Sequence, residues 1–367
     1  MKKYDVAAYI WPAYTGASAR TKIFWPEGMG EWQTVKAAKA KFEGHSWPRK
    51  PLWGYVDEAD PYVMEMEIEA AVDHGINTFI YDWYWYDNRP FLEECLNNGF
   101  LKAKNNRKMK FYIMWANHDA THVWDKRNAE NEEMIWTGRV TFEQFKVIAK
   151  RWTEQYLLLD NYYRIDGKPV ISIYDLKNLI DGLGGIENTK DAFVFLNDEA
   201  KKHGLPGVHL QYIKWGNEPV NLSGVDGGEK TVLIKDIKDL GFESVTHYQF
   251  VHFADINMSY EMLYEDVIAE WESVCSNMKL KYFPHVSIGW DNNPRYNSLR
   301  PDILRNNTPE NFEKMLTYAK KFADEHNVSL ITVNSWNEWT ETSYLEPDDL
   351  YGYEYLEAVK NVFLKQQ

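Results

Sequence analysis

The chain has 367 residues, of which 44% are hydrophobic and 26% charged, a composition typical of a globular protein. Acidic residues outnumber Lys and Arg by 55 to 41, which gives a formal net charge of −14. This acidic balance, without clustered basic residues, argues against nucleic acid and against anionic membranes as partners. The length allows two average domains or one large barrel.

The two cysteines, Cys95 and Cys275, are too few for a disulfide framework or for a cysteine-based zinc site. The chain starts MKKYDVAAYIW, which lacks the apolar stretch and the small-residue cleavage site of a secretory signal peptide. No apolar run is long enough to span a bilayer. These features predict a cytoplasmic protein, although a secreted protein whose signal had been removed would read the same way.

Eight β-rich segments alternate with helical or long connecting segments along the chain. They are rich in Val, Ile, Tyr, Phe and Trp and are bounded by Gly, Pro, Asn or Asp. The predicted strands are residues 5–11, 76–85, 109–116, 169–175, 209–215, 244–250, 282–291 and 329–339.

Helix start and stop signals fall between these strands. Asp60 followed by Pro61 predicts a helix that begins there and ends at Gly75. Further helices are predicted to begin at Thr141, to cover 191–203, to begin at Thr308 and to cover 353–365.

This alternation predicts an α/β fold, a (β/α)8 TIM barrel that forms one domain over residues 1–367. A doubly wound sheet is the alternative, but the turn after the first strand, WPAYTGASAR, lacks the G-x-G-x-x-G pattern. No linker, repeat or low-complexity segment divides the chain. Two long β→α loops, residues 11–60 and 215–230, are expected to be functional.

Aromatic residues make up 16% of the chain, with 16 Trp and 24 Tyr. Their rings offer flat, partly polar surfaces that suit ligands with apolar CH faces and hydroxyl edges, so we expect an oligo- or polysaccharide as partner. The predicted strands end in aromatic and polar residues, where a barrel carries its functional groups. The predicted substrate-binding residues are Tyr9, Trp11, Asp82, Trp83, Trp85, Trp115, Asn117, His118, Tyr174, Tyr212, His247, Tyr248, Trp290, Asp291, Trp336 and Asn337.

The segment NSWNEWTETSYLEPD, residues 334–348, places four carboxylates around the end of the eighth predicted strand. Cleavage of a glycosidic bond needs a carboxylic acid that protonates the leaving oxygen and a second carboxylate that acts as nucleophile or base. We predict that Glu338 and Glu341 are this catalytic pair, which requires the chain to bend after Trp339. Glu346 is interpreted as an acid that anchors the loop.

Rival chemistries have weaker support in the sequence. His118 and His122 have the spacing of a metal-binding pair, but their segment lacks a helical pattern, so we predict neither a metal nor a cofactor. No D-x-D triplet lies at a predicted strand end, which disfavours a nucleotide-sugar glycosyltransferase. Two neighbouring buried carboxylates disfavour a protein that only binds sugar, because their desolvation is costly.

The segment WNEWTETSYLEPDDLYGYEYLEAV resembles the W-N-E-W-x-E-x-x-x-L-E-P pattern of the WbsX-like proteins, which are also described as glycoside hydrolase family 99-like. Three further segments also resemble WbsX-like proteins, and they occur in the same order over most of the chain. They are GEWQTVKAAKAKFEGHSWPRKPLWGY, DPYVMEMEIEAAVDHGINTFIYDWYW and MWANHDATHVWD.

This resemblance implies a (β/α)8 barrel related to the endo-α-mannosidases of family 99. It implies that Glu338 acts as a base on the sugar 2-hydroxyl, which gives a bridged anhydro-sugar and net retention. It also implies that Glu341 is the general acid and then the base for water. Family 99 proper carries His and Gly where this chain has Thr340 and Thr342, and the WbsX-like branch was first labelled as glycosyltransferase.

The sequence therefore predicts a retaining glycoside hydrolase that acts on an α-linked glycan, with an α-mannoside as the example that the resemblance supplies. Two alternatives stay open. One is a glycosyltransferase in polysaccharide biosynthesis, and the other is a non-catalytic carbohydrate-binding protein.

Overall fold

The computed structural model describes residues 4–16, 18–215, 220–223, 229–232 and 234–365. Eight parallel strands form its inner sheet. They are β1 (Asp5–Ile10), β2 (Thr78–Tyr86), β3 (Lys110–Trp115), β4 (Lys168–Ile173), β5 (His209–Lys214), β6 (Ser244–His247), β7 in two pieces, β7a (Lys281–Tyr282) and β7b (His285–Ser287), and β8 (Leu330–Asn334).

The sheet closes on itself through strand β7. Strands β1 to β6 lie side by side in chain order, and β8 pairs with β1. The first piece of β7 pairs with β6 and the second pairs with β8, both in parallel. Proline at 284 has no N–H for a strand ladder, and the break in β7 falls there. The predicted (β/α)8 barrel is confirmed.

Nine helices lie in the described part of the chain. They are α1 (Trp32–Lys36), α2 (Pro61–Asp73), α3 (Phe142–Trp152), α4 (Leu176–Leu183), α5 (Ile186–Lys202), α6 (Ile234–Asp239), α7 (Tyr264–Met278), α8 (Pro309–Glu325) and α9 (Glu354–Phe363). None of the helices in these described ranges is both long and apolar enough to cross a bilayer.

Three predicted helix starts have the side-chain caps that the sequence indicated. Asp60 accepts from the amide of residue 62, and Thr308 accepts from the amide of residue 311. Thr141 and Gln144 form a reciprocal capping box. Helix α5 begins at Ile186, before the predicted 191, because Gly184 ends α4 in a left-handed conformation and the chain turns directly into the next helix.

Short strands extend the sheet or close loops. Arg89–Phe91 pairs with β2 and Arg164–Ile165 pairs with β4. The other pairs are Ala120–Thr121 with Met134–Trp136, Val220–Ser223 with Glu229–Val232, and Asn337–Glu338 with Ser343–Tyr344. Part of the predicted long loop 215–230, namely residues 216–219 and 224–228, lies outside the described residues.

Three predicted strands were too long. Strand β6 ends at His247 rather than at 250, β7 ends at Ser287 rather than at 291, and β8 ends at Asn334 rather than at 339. In all three cases aromatic residues continue past the last ladder hydrogen bond, so composition alone did not mark the end. The whole of β2 is buried, as expected for a parallel strand with the barrel interior on one face and helices on the other.

Candidate active site

The two predicted catalytic residues lie in one tight turn beyond β8. The turn Trp339–Glu341 connects the paired segments Asn337–Glu338 and Ser343–Tyr344. Glu338 is 3% exposed and Glu341 is 8% exposed, so both carboxylates are nearly withdrawn from water. The chain thus leaves the strand before residue 338, earlier than the bend predicted after Trp339.

Arg295 brings the two glutamates together. Its Nη1 donates to Glu341 Oε1 at 2.6 Å, and its Nη2 donates to Glu338 Oε2 at 3.1 Å. Its Nε donates to Thr340 Oγ1 at 2.8 Å and lies 3.5 Å from Glu31 Oε1. One guanidinium therefore contacts both carboxylates, and the required convergence of residues 338 and 341 is present in the structure.

A third carboxylate lies next to the pair. Tyr248 donates its hydroxyl to Asp82 Oδ2 at 2.9 Å, and the same hydroxyl is 3.4 Å from Glu338 Oε1. Among the described residues, Asp82 Oδ1 and Glu341 Oε2 are buried without a hydrogen-bond partner. A buried acceptor without a donor is costly unless a ligand or water satisfies it, so these two oxygens mark an unsatisfied point of the site.

The site contains one arginine and four carboxylates, those of Glu31, Asp82, Glu338 and Glu341. Burial is the main cause of the pKa shifts of three of them. Burial, and next the charge of Glu341, raise the pKa of Glu338 well above its usual range. Burial likewise raises the pKa of Asp82 well above the usual range. The pKa of Glu31 is also raised by burial, against the opposing effect of Arg295. A carboxyl group with a raised pKa keeps its proton to a higher pH than a free one, which suits a group that must donate or accept a proton.

The backbone after Glu341 is held from both sides. Thr342 has φ 57, a left-handed conformation that costs a β-branched residue of the order of 1–3 kcal/mol. Its hydroxyl donates to the Asp291 carbonyl and accepts from Trp47 Nε1, each at 2.9 Å. The Asp291 amide donates to the Glu341 carbonyl at 2.8 Å. These bonds fix the turn at the position where family 99 proper carries glycine.

Three buried glutamates, Glu58, Glu67 and Glu346, hold the same turn through hydrogen bonds. Each accepts a hydrogen bond from a side chain of residues 336–339: Glu58 from Asn337 at 2.7 Å, Glu67 from Trp336 at 3.0 Å and Glu346 from Trp339 at 2.5 Å. One oxygen of each lies within 4.8 Å of the others. Burial raises the pKa of all three, that of Glu346 to about 8. Glu346 is thus placed as the loop anchor that the sequence indicated.

The long first loop contributes two side chains to the site, Glu31 and His45, that the sequence analysis did not identify. Glu31, immediately before α1, accepts from Trp11 Nε1 at 2.5 Å and lies beside the site arginine. His45 Nε2 and Asp291 Oδ2 are 2.6 Å apart. The loop 11–60 therefore forms one wall of the candidate site.

Some of the predicted binding residues are gathered at the mouth of the barrel. The ring of Tyr174 lies 5.3 Å from that of Tyr248, and His118 lies 5.8 Å from Tyr174. Tyr9 lies deeper, because it is fully buried under Tyr248 and donates its hydroxyl to the carbonyl of residue 247 at 3.0 Å. Trp11 is likewise buried, with its indole N–H on Glu31.

Other predicted binding residues do not reach the mouth. Consecutive residues of a strand point to opposite faces, so selecting neighbouring residues included side chains that lie under the helices. Trp83 donates to Glu93 at 2.7 Å, and the rings of Trp83 and Trp115 pack on Trp152 of α3. The remaining residues of this kind are Trp85 beside Trp83, Tyr212 beside Phe242, His247 bonded to Tyr282, and Trp336 bonded to Glu67.

Three further predicted residues lie in the loops around the site. Asn117 is fully buried and exchanges two hydrogen bonds with the backbone of Asp175, at 2.7 and 2.8 Å. Asn337 does the same with the backbone of Trp11, at 2.8 and 2.9 Å. Trp290 is half-buried in the loop after β7. The amide groups of the two asparagines therefore hold the loops around the site through the backbone.

The fold is a (β/α)8 barrel, and its candidate site is a cluster of buried carboxylates around one arginine. It is similar to the GH99 endo-alpha-mannosidase from Bacteroides thetaiotaomicron, with a TM-score of 0.62 and 14% identity over 98% of this chain and 97% of that chain. It is also similar to a protein described as glycoside hydrolase-like, with a TM-score of 0.63 and 16% identity over 100% and 95% of the two chains.

The family model described as Glycosyltransferase WbsX matches residues 6–359, and the chain belongs to that family. The chain is also 23% identical, over 357 residues, to protein WxcX from Xanthomonas campestris pv. campestris, which is described as uncharacterized. The match covers 93% of this chain and 47% of that relative. The chain spans about half the length of the curated relatives it matches.

Proposed function

We propose that this chain is a retaining glycoside hydrolase that acts on an α-linked glycan. The observation that carries the proposal is the contact of one buried arginine, Arg295, with both Glu338 and Glu341 at the mouth of the barrel. Retention is part of the proposal because the family resemblance implies it.

The residues support the two-step reaction that the family resemblance implies. Glu338 takes the proton of the sugar 2-hydroxyl while the 2-oxygen attacks the anomeric carbon. The bond to the leaving oxygen breaks, and Glu341 protonates that oxygen. Water, deprotonated by Glu341, then attacks the anomeric carbon of the anhydro-sugar. The bond between that carbon and the 2-oxygen breaks, and Glu338 returns its proton to the 2-oxygen. Two successive inversions give net retention.

The local contacts fit these roles. A carboxylate with a raised pKa is a stronger base, and burial raises the pKa of Glu338. In Glu341, Oε1 is bound to Arg295, whereas Oε2 has no partner among the described residues. Oε2 is therefore the oxygen from which a proton can pass to the leaving group.

The test is a screen of α-linked oligosaccharides in which NMR follows the anomer of the first product. We expect an α product from the wild type and at least about a 10²-fold lower turnover from Glu341→Gln, since general acid catalysis contributes about 10²–10⁴-fold. The melting temperature should stay close to that of the wild type. Glu310→Gln, on the 81% exposed side chain of α8, is the matched control. Unchanged turnover of the Glu341 variant would contradict the assignment.

A glycosyltransferase is the second candidate, because that is how the matched family is described. Such an enzyme must hold the diphosphate of a nucleotide sugar, commonly with a metal or with free arginine and lysine. Here Arg295 is already bound by the carboxylates, which favours the hydrolase. Calorimetry with nucleotide sugars, with and without Mg²⁺ or Mn²⁺, separates the two: tight binding would favour transfer.

A further inference from the structure

Trp215 is the residue that follows β5, and it lies at the rim of the candidate site. Its side chain is 41% exposed, whereas the other tryptophans in the described part of the chain are buried or half-buried. Tryptophan is enriched among the residues that carry most of the energy at binding surfaces, and this exposed indole lies at the mouth of the barrel.

The indole is held rigidly. Its Nε1 donates to the Tyr174 carbonyl at 2.7 Å, so the polar edge of the ring is satisfied from within the protein. Its ring stacks on that of Tyr174, with centroids 5.5 Å apart and planes 19° apart, and the His252 ring lies 5.6 Å away. One face of the indole therefore packs on the protein, and the exposed part of the ring is held in a fixed orientation. Binding of a ligand to it would lose little side-chain conformational entropy.

This aromatic surface adjoins the carboxylates. The Tyr174 ring is 5.3 Å from Tyr248, whose hydroxyl bonds to Asp82 and approaches Glu338. Trp215 is thus separated from the carboxylates by two rings. A sugar bound over the carboxylates would have its neighbour within reach of the indole.

The rings that form this surface carry no charge at neutral pH. Burial lowers the pKa of His252 to about 3, so the imidazole is neutral. Burial raises the pKa of the Tyr174 and Tyr248 hydroxyls, so they stay protonated. A neutral, flat, aromatic surface suits the apolar CH face of an uncharged pyranose better than it suits a charged or phosphorylated group.

We propose that Trp215 and Tyr174 form a stacking subsite for a second, uncharged pyranose of the glycan, next to the sugar held at the carboxylates. The inference rests on the proposed function of this mouth as a glycan site. It assigns Trp215 a binding role separate from the chemistry at Glu338 and Glu341.

The experiment measures binding by calorimetry in the Glu341→Gln background, so that no substrate is consumed. The probes are neutral α-linked manno- and gluco-trisaccharides and the methyl α-glycosides of the same sugars. Trp215→Ala should weaken trisaccharide binding about tenfold, the scale of one well-placed aromatic contact, and should leave methyl glycoside binding unchanged. Trp215→Phe should restore most of the affinity.

Tyr318→Ala is the matched control, since it removes a 39% exposed ring from the outer face of α8. It should leave both affinities unchanged. An equal loss for trisaccharide and methyl glycoside in Trp215→Ala would show a general disturbance of the site and overturn the subsite, as would no loss at all. Failure of every probe to bind the parent protein would overturn it too.

The outcomes also separate this inference from the hydrolase proposal. Trisaccharide binding that depends on Trp215, without hydrolysis of any probe by the wild type, would support the subsite and contradict the hydrolase. Hydrolysis with retention, at a rate and affinity that do not depend on Trp215, would support the hydrolase and contradict the subsite.

Discussion

Arg295 is the counter-charge on which the carboxylates of the candidate site depend. Arg295→Met would leave Glu338 and Glu341 buried without their cation, and breaking a buried ion pair costs about 3–5 kcal/mol. We expect a lower free energy of unfolding in urea at neutral pH. The deficit should shrink at acidic pH, because Glu338, whose pKa is raised, then becomes neutral.

Arg89→Met is the control for this variant. Arg89 pairs with Asp87 at 3.3 Å, and both side chains are 59% exposed, so that pair should contribute at most about 1 kcal/mol. Equal losses in the two variants would show that Arg295 is not holding the buried carboxylates.

The raised pKa of Glu338 sets the direction of the pH dependence of catalysis. A base must be deprotonated, so kcat/KM on a glycan from the screen should fall as the pH drops through the pKa of Glu338. That pKa lies well above the usual range because of burial and the charge of Glu341. The acid limb should therefore lie well above about pH 4.3, the pKa of a free glutamate. A profile that stayed flat down to that pH would argue against Glu338 as the base.

At the scale of elements, the turn after β8 rests on the buried acids Glu58, Glu67 and Glu346. The pKa of Glu346 rises from an unfolded value of about 4.3 to about 8 in the fold. Folding therefore favours its protonated form. The resulting stability is fully present below pH 4.3 or so and is lost as the pH rises through about 8.

We expect the free energy of unfolding to fall with pH across this window, by about 1.4 kcal/mol per pH unit for each proton that the fold retains. Glu346→Gln keeps an acceptor for Trp339 and removes the titration, so its slope should be shallower than that of the wild type. Urea unfolding at several pH values measures both slopes. Glu310→Gln should leave the slope unchanged, and a Glu346 variant with the wild-type slope would refute the linkage.

The order of the elements could be predicted from the sequence because the β-rich runs and helix caps recur strictly in turn. All eight predicted strands occur, and the caps Asp60, Thr141 and Thr308 lie where expected. The strand ends could not be predicted, because Tyr248 and Trp336 have the composition of a strand but lie beyond the last ladder bonds of β6 and β8. Those ends are decided by hydrogen bonds to strands that are distant in sequence, and the local amino-acid composition does not show where such bonds stop.

Only the part of the candidate site whose functional residues lie close together in the sequence could be predicted. Glu338 and Glu341 stand together in the chain and together in space. Arg295 and Glu31 come from loops far away in sequence, and only the fold joins them to the pair. The DNNPRYN segment after Trp290 offered one faint signal, a single arginine among polar residues just past a predicted strand end.

At the scale of the whole molecule, the net charge of −14 should select among glycans. A negative surface repels polyanions over a Debye length of roughly 8 Å at physiological salt. We expect binding of uronate-containing oligosaccharides to be weaker than that of neutral ones and to improve as salt is raised, while binding of neutral ones stays constant. Calorimetry at low and high NaCl checks this, and a neutral glycan whose affinity followed the salt concentration would contradict it.

The division of β7 at Pro284 has a mechanical consequence. Two short ladders close the barrel, one between β7a and β6 and one between β7b and β8. The register of β6 is therefore not tied directly to the register of β8. The loop that carries Arg295 follows directly after the second piece of β7. The way in which the barrel closes at β7 therefore determines where this guanidinium meets the two glutamates that follow β8.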